Sequence, residues 1–207
     1  MRNFKIRASA LSKIMSNAKK EGELSQTAKS YLHEWYSNES HDIHSKYLQK
    51  GVMMELEAIQ FASNVLELGV VEKNKNHFEN EYMTGTPDVI DGNTVIDVKV
   101  PWDRCTFQSN VNGIDKDYEY QLRAYMILTG CTNSILFYAL MDTDEVINYG
   151  TEVTYSDLPD EDRWIAYEVI HDEETEAKII ERVEMCRTWL NEYDQKVKEK
   201  LGRINKA

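Results

Sequence analysis

Helical spacing of apolar residues marks both ends of the chain. Between Ser45 and Leu68 apolar residues recur at intervals close to the helical repeat, which predicts a long helix. Shorter helices are predicted over Ser9 to Lys20, where a serine can cap the first turn, and over Thr27 to Tyr36. A last helix is expected from about Glu173 to Leu201, because acids at its start and lysines at its end complement the helix dipole.

The middle of the chain changes to a period of two, which is typical of strands. From Thr94 to Val100 an apolar face alternates with a mixed face that carries Asp97. The turn sequence Asp91-Gly92-Asn93 comes just before it, so Thr86 to Ile90 is predicted to form the other strand of a hairpin or a tightly connected pair. Asp88 would then lie close to Asp97.

Further elements follow the hairpin. A helix is predicted over Tyr118 to Thr129, with Gly130 suited to end it, and a buried strand over Ser134 to Met141. Two more segments, Val146 to Thr154 and Trp164 to Ile170, are strand candidates. This order predicts an α/β fold with a mixed central β-sheet flanked by α-helices and a long C-terminal helix.

Length and composition favour one folded domain. The 207 residues suit a single domain, and 42% hydrophobic with 29% charged residues can supply a core. Three scattered cysteines, Cys105, Cys131 and Cys186, indicate neither a disulfide framework nor a thiolate metal site. No apolar stretch approaches the roughly 18 residues of a spanning helix, and Met1 to Met15 lacks a secretory pattern, so we expect a soluble cytoplasmic protein.

The net charge of −12 makes a nucleic acid a less expected partner. With 36 acidic and 24 basic residues, the chain is less suited to a polyanionic partner than most nucleic-acid binders. Binding depends on the local field, however, and a cleft that concentrates carboxylates for divalent cations is itself a source of acidity. The charge therefore argues against nucleic acid without excluding it.

The strongest candidate chemistry lies at Asp88 and the triplet Asp97-Val98-Lys99. Two carboxylates brought together by adjacent strands can hold Mg²⁺, and such an ion activates water and stabilises the charge of phosphodiester hydrolysis. Lys99 shares a strand face with Asp97, so it can hydrogen-bond the attacking water or the scissile phosphate. The alternative is an ordinary solvated strand face on which Asp97 and Lys99 form a surface pair.

Three other residues strengthen the first interpretation, although each has an ordinary structural explanation. Glu55 is either a site residue or a solvated helix position, and its neighbours leave its orientation open. Gln121 and Tyr125 lie one helical turn apart and could simply pack at the edge of the core. The case for a site therefore depends on all of these residues together.

In this order the residues resemble the PD-(D/E)xK nuclease superfamily, and within it the lambda-exonuclease-like (YqaJ-like) viral recombinase family. Gly51 to Ile59 is similar to the family's helix that carries an active-site glutamate, here Glu55. Pro87-Asp88 and Asp97-Val98-Lys99 match the motif that names the superfamily, with aspartate at its D/E position.

The resemblance extends to both sides of this motif, from Ile6 to about Leu190. Gln121 and Tyr125 match the family's Q-x-x-x-Y helix. The segment from Ile6 to Met15 is similar to one whose serine, here Ser9, helps to hold a DNA 5′-phosphate. From the residues alone, Ser9 could equally be a helix cap, or serve in both ways.

The resemblance implies a restriction-endonuclease-like core and a division of the chain. Residues 1–45 would form an N-terminal helical segment that binds DNA ends, 46–170 the catalytic core and 171–207 the C-terminal helix. The implied ligands of a Mg²⁺ or Mn²⁺ ion are Glu55, Asp88, Asp97 and the carbonyl of Val98. Glu55 would act directly or through a second ion, and Lys99 would orient the nucleophilic water.

The resemblance also implies how DNA is held and cut. Gln121 and Tyr125 would position the cleft and the DNA backbone, and the 5′-phosphate would be bound by Arg7, Ser9 and Arg104. Arg104 is only the nearest basic candidate, since Cys105 stands where a strict alignment places the family's arginine. The implied activity is a 5′-to-3′ exonuclease on ends of linear double-stranded DNA in phage-type recombination, beside a single-strand annealing protein and as a possible homotrimer.

Two other functions are compatible with the sequence. A structure-specific or restriction-like endonuclease can be built on the same fold, because one fold hosts many functions. A catalytically inactive DNA-binding recombination scaffold would also keep the fold. The presence of Asp88, Asp97 and Lys99 argues against the inactive form.

Overall fold

The computed structural model describes residues 3–20, 22–38 and 45–202. The other positions of the predicted N-terminal segment (1–45) and of the predicted C-terminal helix (171–207) lie outside these described residues. Its strands are β1 (Ile6–Arg7), β2 (Phe78–Glu79), β3 (Met83–Gly85), β4 (Val89–Asp91), β5 (Thr94–Lys99), β6 (Asn133–Ala139) and β7 (Trp164–Ile170). Its α-helices are α1 (Leu11–Met15), α2 (Gln26–Ser37), α3 (Lys46–Val65), α4 (Arg104–Ser109), α5 (Lys116–Thr129) and α6 (Glu173–Lys200).

The four-stranded sheet confirms the predicted mixed α/β architecture. Its strand order is β4-β5-β6-β7, with β5 and β6 parallel and both outer pairs antiparallel. The predicted hairpin is present, since β4 and β5 pair with Val89 opposite Ile96. Ile96 packs with Phe137 of β6 and Ile59 of α3 in one core cluster. The sheet face that carries Ile96 is therefore covered by α3.

The first strand of the hairpin is shorter than predicted. Thr86, Pro87 and Asp88 lie outside β4, which begins at Val89. Proline has no N–H to donate to a strand ladder, so pairing starts after it. Upstream, β3 belongs to a separate small sheet of order β1-β3-β2, which the sequence did not predict. Strands of two or three residues are too short to show a period.

The N-terminal helix is also shorter than the predicted Ser9 to Lys20. Ser9 lies in a 3₁₀ turn, and α1 ends at Met15 because Ser16 takes an extended backbone. The hydroxyl of Ser16 is 2.5 Å from that of Ser25, which caps α2. The residue before α1 is Ala10, with no side-chain cap, so the alternative that Ser9 caps this helix is wrong.

Two segments that connect the main elements differ from what the sequence predicted. The segment from Val146 to Thr154 is not a strand: it forms turns and a single bridge between Thr143 and Val153. After β5, the short helix α4 was not predicted. It is stabilised by a capping box in which Asp103 and Thr106 exchange hydrogen bonds.

Helix α3 has two different halves. Its second half is buried through Ile59 and Phe61. Its first half is not, since the apolar side chains of that half are exposed at Tyr47, Leu48, Val52 and Leu56. The helical period was correct there, but the face that it marks is not a core face.

Lys50 fixes the exposed half of α3 to the sheet. It is fully buried, and its ammonium donates to the carbonyls of Trp102 (2.8 Å) and Met141 (2.7 Å). Burial disfavours the charged form and lowers the pKa of Lys50 to about 8. One side chain thus joins α3 to the segments that follow β5 and β6.

The last helix, α6, confirms its prediction and closes the N-terminal half of the core. Its buried residues Ile179, Val183, Cys186 and Leu190 pack with the N-terminal segment. Arg187 also donates to the carbonyl of Phe4 at 3.1 Å. Within the described part of the chain, none of the helices has both the length and the apolar character that crossing a bilayer requires.

Gly85, at the end of β3, provides a test of this packing. A Cβ atom there would lie 2.8 Å from Tyr125 Cε1 and 3.0 Å from the Cβ of Ala8. We expect Gly85→Ala to lower the free energy of unfolding by about 1–3 kcal/mol through overpacking, measured by urea denaturation. Gly51→Ala is the matched control: its Cβ meets nothing within 4 Å, and helix propensity should make it neutral or stabilising. Equal effects of the two substitutions would contradict this account.

Candidate active site

An open cleft of about 820 Å³ runs between α3, the end of β5 and α5. Its lining includes all the predicted catalytic and metal-binding residues, which are Glu55, Asp88, Asp97, Val98, Lys99, Gln121 and Tyr125. They come from helix α3, the hairpin and helix α5. The fold therefore brings to one cavity residues that are far apart in the sequence.

Asp97 is the most buried charged group of the cleft, with 1% of its surface exposed. The alternation of β5 places it on the same face as Lys99, whose ammonium lies 2.7 Å from Oδ2. Gln121 donates to Oδ1 at 3.3 Å. The Lys99 contact is an ion pair outside hydrogen-bond alignment, so Oδ2 accepts no aligned hydrogen bond from the described residues.

Asp88 faces Asp97 from the other side of the hairpin. Its Oδ2 accepts a hydrogen bond from the backbone N–H of Val98 at 2.8 Å. Burial, and then the charge of Asp97, raise the pKa of Asp88 to about 7. Because the two carboxylates share a poorly solvated space, the charge on one disfavours ionisation of the other.

Lys99 supplies the compensating charge. Burial alone would lower its pKa, but the carboxylates of Asp97 and Asp88 more than offset this, so its pKa is raised. Its ammonium also lies 4.9 Å from the ring centre of Tyr118. Lys99 is therefore a fixed cation in the neutral pH range and does not act as a base.

Gln121 and Tyr125 face the cleft from one side of α5. Gln121 donates to the Tyr125 hydroxyl at 2.8 Å as well as to Asp97, and its Oε1 lies 3.5 Å from the Lys99 ammonium. Burial raises the pKa of Tyr125 to about 12, so its hydroxyl stays protonated. The alternative that both residues only pack at the core edge does not account for these polar contacts.

Glu55 borders the cleft but is separate from the aspartate pair. It is half-buried and forms an ion pair with Lys73, a residue that the sequence analysis missed. Among the described residues, no three acidic, histidine or cysteine side chains come close enough to share a metal ion. The predicted ligand set is therefore present as a pair, Asp88 and Asp97, with Glu55 beside it.

The residues predicted to hold a 5′-phosphate are placed less closely together. Ser9 is exposed and lines the cleft. Arg7 and Arg104 are also exposed but do not line it. Cys105 is exposed beside Arg104 on α4.

The donor set suits one hard divalent cation. Asp97 Oδ2 is a buried oxygen without an aligned donor, and Asp88 has a carboxyl group whose ionisation is suppressed by Asp97. A cation between the two would favour the ionised form of both, and hard oxygen ligands are those that Mg²⁺ and Mn²⁺ prefer. The residues present therefore fit the expected ion.

Aromatic residues that were not among the predicted site residues also line the cleft. Tyr47 and Trp102 form one edge-to-face pair at its mouth, and Tyr118 and Tyr138 form another. The Tyr138 hydroxyl is buried and has no hydrogen-bond partner among the described residues. No local pattern distinguishes these aromatics from core residues.

Comparison with known proteins gives one consistent result. No family model and no curated protein matches the sequence. Among solved structures, the chain is similar to a phage-related exonuclease from Haemophilus somnus 129PT, with 25% identity, a TM-score of 0.83 and coverage of 95% of this chain and 97% of that one. An alkaline exonuclease from Laribacter hongkongensis shares the fold, with 18% identity, a TM-score of 0.70 and coverage of 95% and 92%. These likenesses confirm the resemblance of this chain to the lambda-exonuclease-like (YqaJ-like) family of the PD-(D/E)xK superfamily.

Proposed function

We propose that this chain is a metal-dependent exonuclease that digests linear double-stranded DNA from its 5′ ends. The observation that carries the proposal is the buried carboxylate of Asp97, paired with Lys99 and set beside Asp88 in an open cleft. A solvated strand face would not bury a carboxylate to 1% exposure. Burying a charged group costs free energy, which favours a catalytic role for Asp97 over that of a surface ion pair.

The residues divide the chemistry of hydrolysis between them. Asp88, Asp97 and the carbonyl of Val98 would hold a Mg²⁺ or Mn²⁺ ion, which lowers the pKa of bound water and stabilises charge at phosphorus. Lys99 stays protonated, so it donates to the attacking water or to the scissile phosphate. Gln121 keeps Asp97 in position, and Tyr125 offers a neutral hydroxyl to the DNA backbone.

The structural neighbours support an exonuclease over an endonuclease of the same fold. Both are named as exonucleases, and the first is described as phage-related. The Laribacter protein has also been solved with dAMP, a nucleoside monophosphate of the kind that an exonuclease releases. The sequence resemblance adds phage-type recombination, a single-strand annealing partner and a homotrimer to the proposal.

Substitution of the central pair tests the activity. We expect Asp97→Ala and Lys99→Ala each to reduce DNA hydrolysis by at least about 100-fold while the fold is retained, because each removes a charge that acts on the reacting phosphate. Asp97→Ala should also abolish Mn²⁺ binding in a calorimetric titration, whereas Lys99→Ala should not, because an ammonium cannot ligate a cation. Asp91→Ala, an exposed aspartate on β4, is the control. Undiminished cleavage by either variant would refute the proposed centre.

The pKa of Asp88 predicts a pH dependence of metal binding. Since that pKa is raised to about 7, the carboxyl group is protonated below neutrality, and an ion must displace the proton to bind. We expect Mn²⁺ affinity to be about tenfold weaker at pH 6 than at pH 8, and the dependence to disappear in Asp88→Asn. Titrations in matched buffers measure this. Equal wild-type affinities at the two pH values would show that no proton on Asp88 competes with the ion in this range, and so would contradict its raised pKa.

The form of the DNA end tests the exonuclease assignment. If Ser9 helps to hold a terminal phosphate, duplexes with a 5′-phosphate should be digested faster than 5′-hydroxyl duplexes, and Ser9→Ala should narrow the difference. Ser12→Ala, on the adjacent helix α1, is the matched control. Intact circular duplex should resist digestion, and rapid cleavage of it would support the endonuclease alternative instead.

A further inference from the structure

One aromatic pair at the mouth of the cleft takes no part in the proposed hydrolysis. Tyr47, at the start of α3, and Trp102, after β5, both line the cleft, and their ring centres lie 5.3 Å apart. Tyr47 is 58% exposed and Trp102 is partly exposed. An aromatic side chain gains free energy when it is removed from water, so such a pair at a cleft mouth indicates a contact surface.

Trp102 is held in place through its backbone. Its carbonyl accepts hydrogen bonds from the buried ammonium of Lys50 at 2.8 Å and from the hydroxyl of Thr143 at 3.3 Å. These two bonds fix the residue between α3 and the segment that follows β6. A ring on such a rigid support loses little conformational entropy when a partner packs on it.

Lys46 places a positive charge beside the same rings. Its ammonium lies 4.5 Å from the ring centre of Trp102, 5.6 Å from that of Tyr47 and 5.4 Å from that of Tyr149. All three distances are within the range of cation–π attraction. No acidic side chain of the described segments forms an ion pair with Lys46. Its charge is therefore left for an external anion.

Two acidic residues that interact electrostatically with Lys50 are engaged by the fold. Asp103 accepts a hydrogen bond from the backbone N–H of Thr106 at 2.8 Å. Asp142 accepts from the backbone N–H of Ser156 at 2.9 Å and from its hydroxyl at 2.8 Å. These carboxylates are thus held by turns on the protein side of Trp102.

The charge of the cleft limits what the rings can bind. Its described lining holds one lysine, Lys99, against five acidic side chains, those of Glu55, Asp88, Asp97, Asp115 and Asp117. Attraction of phosphates therefore cannot supply most of the affinity for DNA here. Stacking of a nucleobase on an aromatic ring needs no net charge and strengthens binding about tenfold per base. Only an unpaired base offers its face to a ring in this way.

We propose that Tyr47 and Trp102 form a stacking platform for an unpaired nucleobase of DNA at the mouth of the cleft, with Lys46 beside it for the adjoining phosphate. The inference rests on DNA being the substrate, as proposed above, and adds a binding site outside the metal centre. An unpaired base can come from either strand at a duplex end. The chemistry of the contact is the same for both strands.

The test compares two duplexes that have the same phosphates. Each carries a short single-stranded overhang, with bases in one duplex and abasic positions in the other, and overhangs on the 5′ and the 3′ strand identify the strand bound. Fluorescence anisotropy measures binding with Ca²⁺ in place of Mg²⁺ to prevent cleavage, and again with EDTA. Wild-type protein should bind the base-bearing overhang of at least one strand about tenfold more tightly. Added salt should weaken both complexes but leave this ratio unchanged, because stacking carries no net charge.

Substitutions of the two rings should remove the discrimination. Trp102→Leu and Tyr47→Leu should each lower the ratio at least about threefold, whereas Trp102→Phe, which keeps a ring, should retain most of it. Trp189→Leu is the matched control, since Trp189 is a partly exposed tryptophan stacked on Tyr193 outside the cleft. A variant that is merely less stable loses affinity for both duplexes alike, so the ratio separates stacking from a structural role.

Equal binding of the base-bearing and abasic duplexes by wild-type protein, or discrimination kept by both leucine variants, overturns the inference. A change of oligomeric state in Tyr47→Leu by light scattering, with an unchanged ratio, would assign the rings to a contact between copies and overturn it as well. A protein that discriminates but cleaves no DNA would support the platform and refute the nuclease function. Cleavage without discrimination would do the reverse.

Discussion

The buried charge of Asp97 is the constraint on which the cleft depends. A carboxylate removed from water costs several kcal/mol unless charges and hydrogen-bond donors compensate it. Lys99 and Gln121 supply part of this compensation, and the ionisation of Asp88 is suppressed in turn. The arrangement leaves one Asp97 oxygen without an aligned donor. The divalent cation proposed above would supply the compensation that Asp97 still lacks.

The local sequence pattern was sufficient to predict the strands and the helix that hold Asp97 and its partners. The alternation along β5 and the turn before it predicted the hairpin, and the four-residue spacing of Gln121 and Tyr125 predicted a shared helix face. Contacts between distant segments were beyond such patterns. The partner of Glu55 lies in a loop without periodicity, and Lys50 looks like an ordinary helix lysine until Trp102 and Met141 surround its ammonium.

The net charge of −12 extends into the cleft, whose described lining holds one lysine, Lys99, against the carboxylates of Glu55, Asp88, Asp97, Asp115 and Asp117. One rim of the cleft is formed by exposed apolar side chains of α3, such as Leu48 and Val52. The helical period of this stripe predicted the helix from the sequence but not what its apolar side chains would contact. Burial by a core and exposure at a cleft produce the same pattern, so only the tertiary fold distinguishes them.

The bond from Arg187 to the carbonyl of Phe4 joins the first described strand region to the last helix. A chain emerging from the ribosome has its N-terminal segment long before α6 has been translated. The segment that carries Ser9 therefore lacks its packing partner until α6 has been synthesised, since α6 completes the cluster around it. A chain that still lacks α6 leaves the segment that carries Ser9 unsupported, so this side of the cleft takes shape only after Glu173–Lys200 has been made.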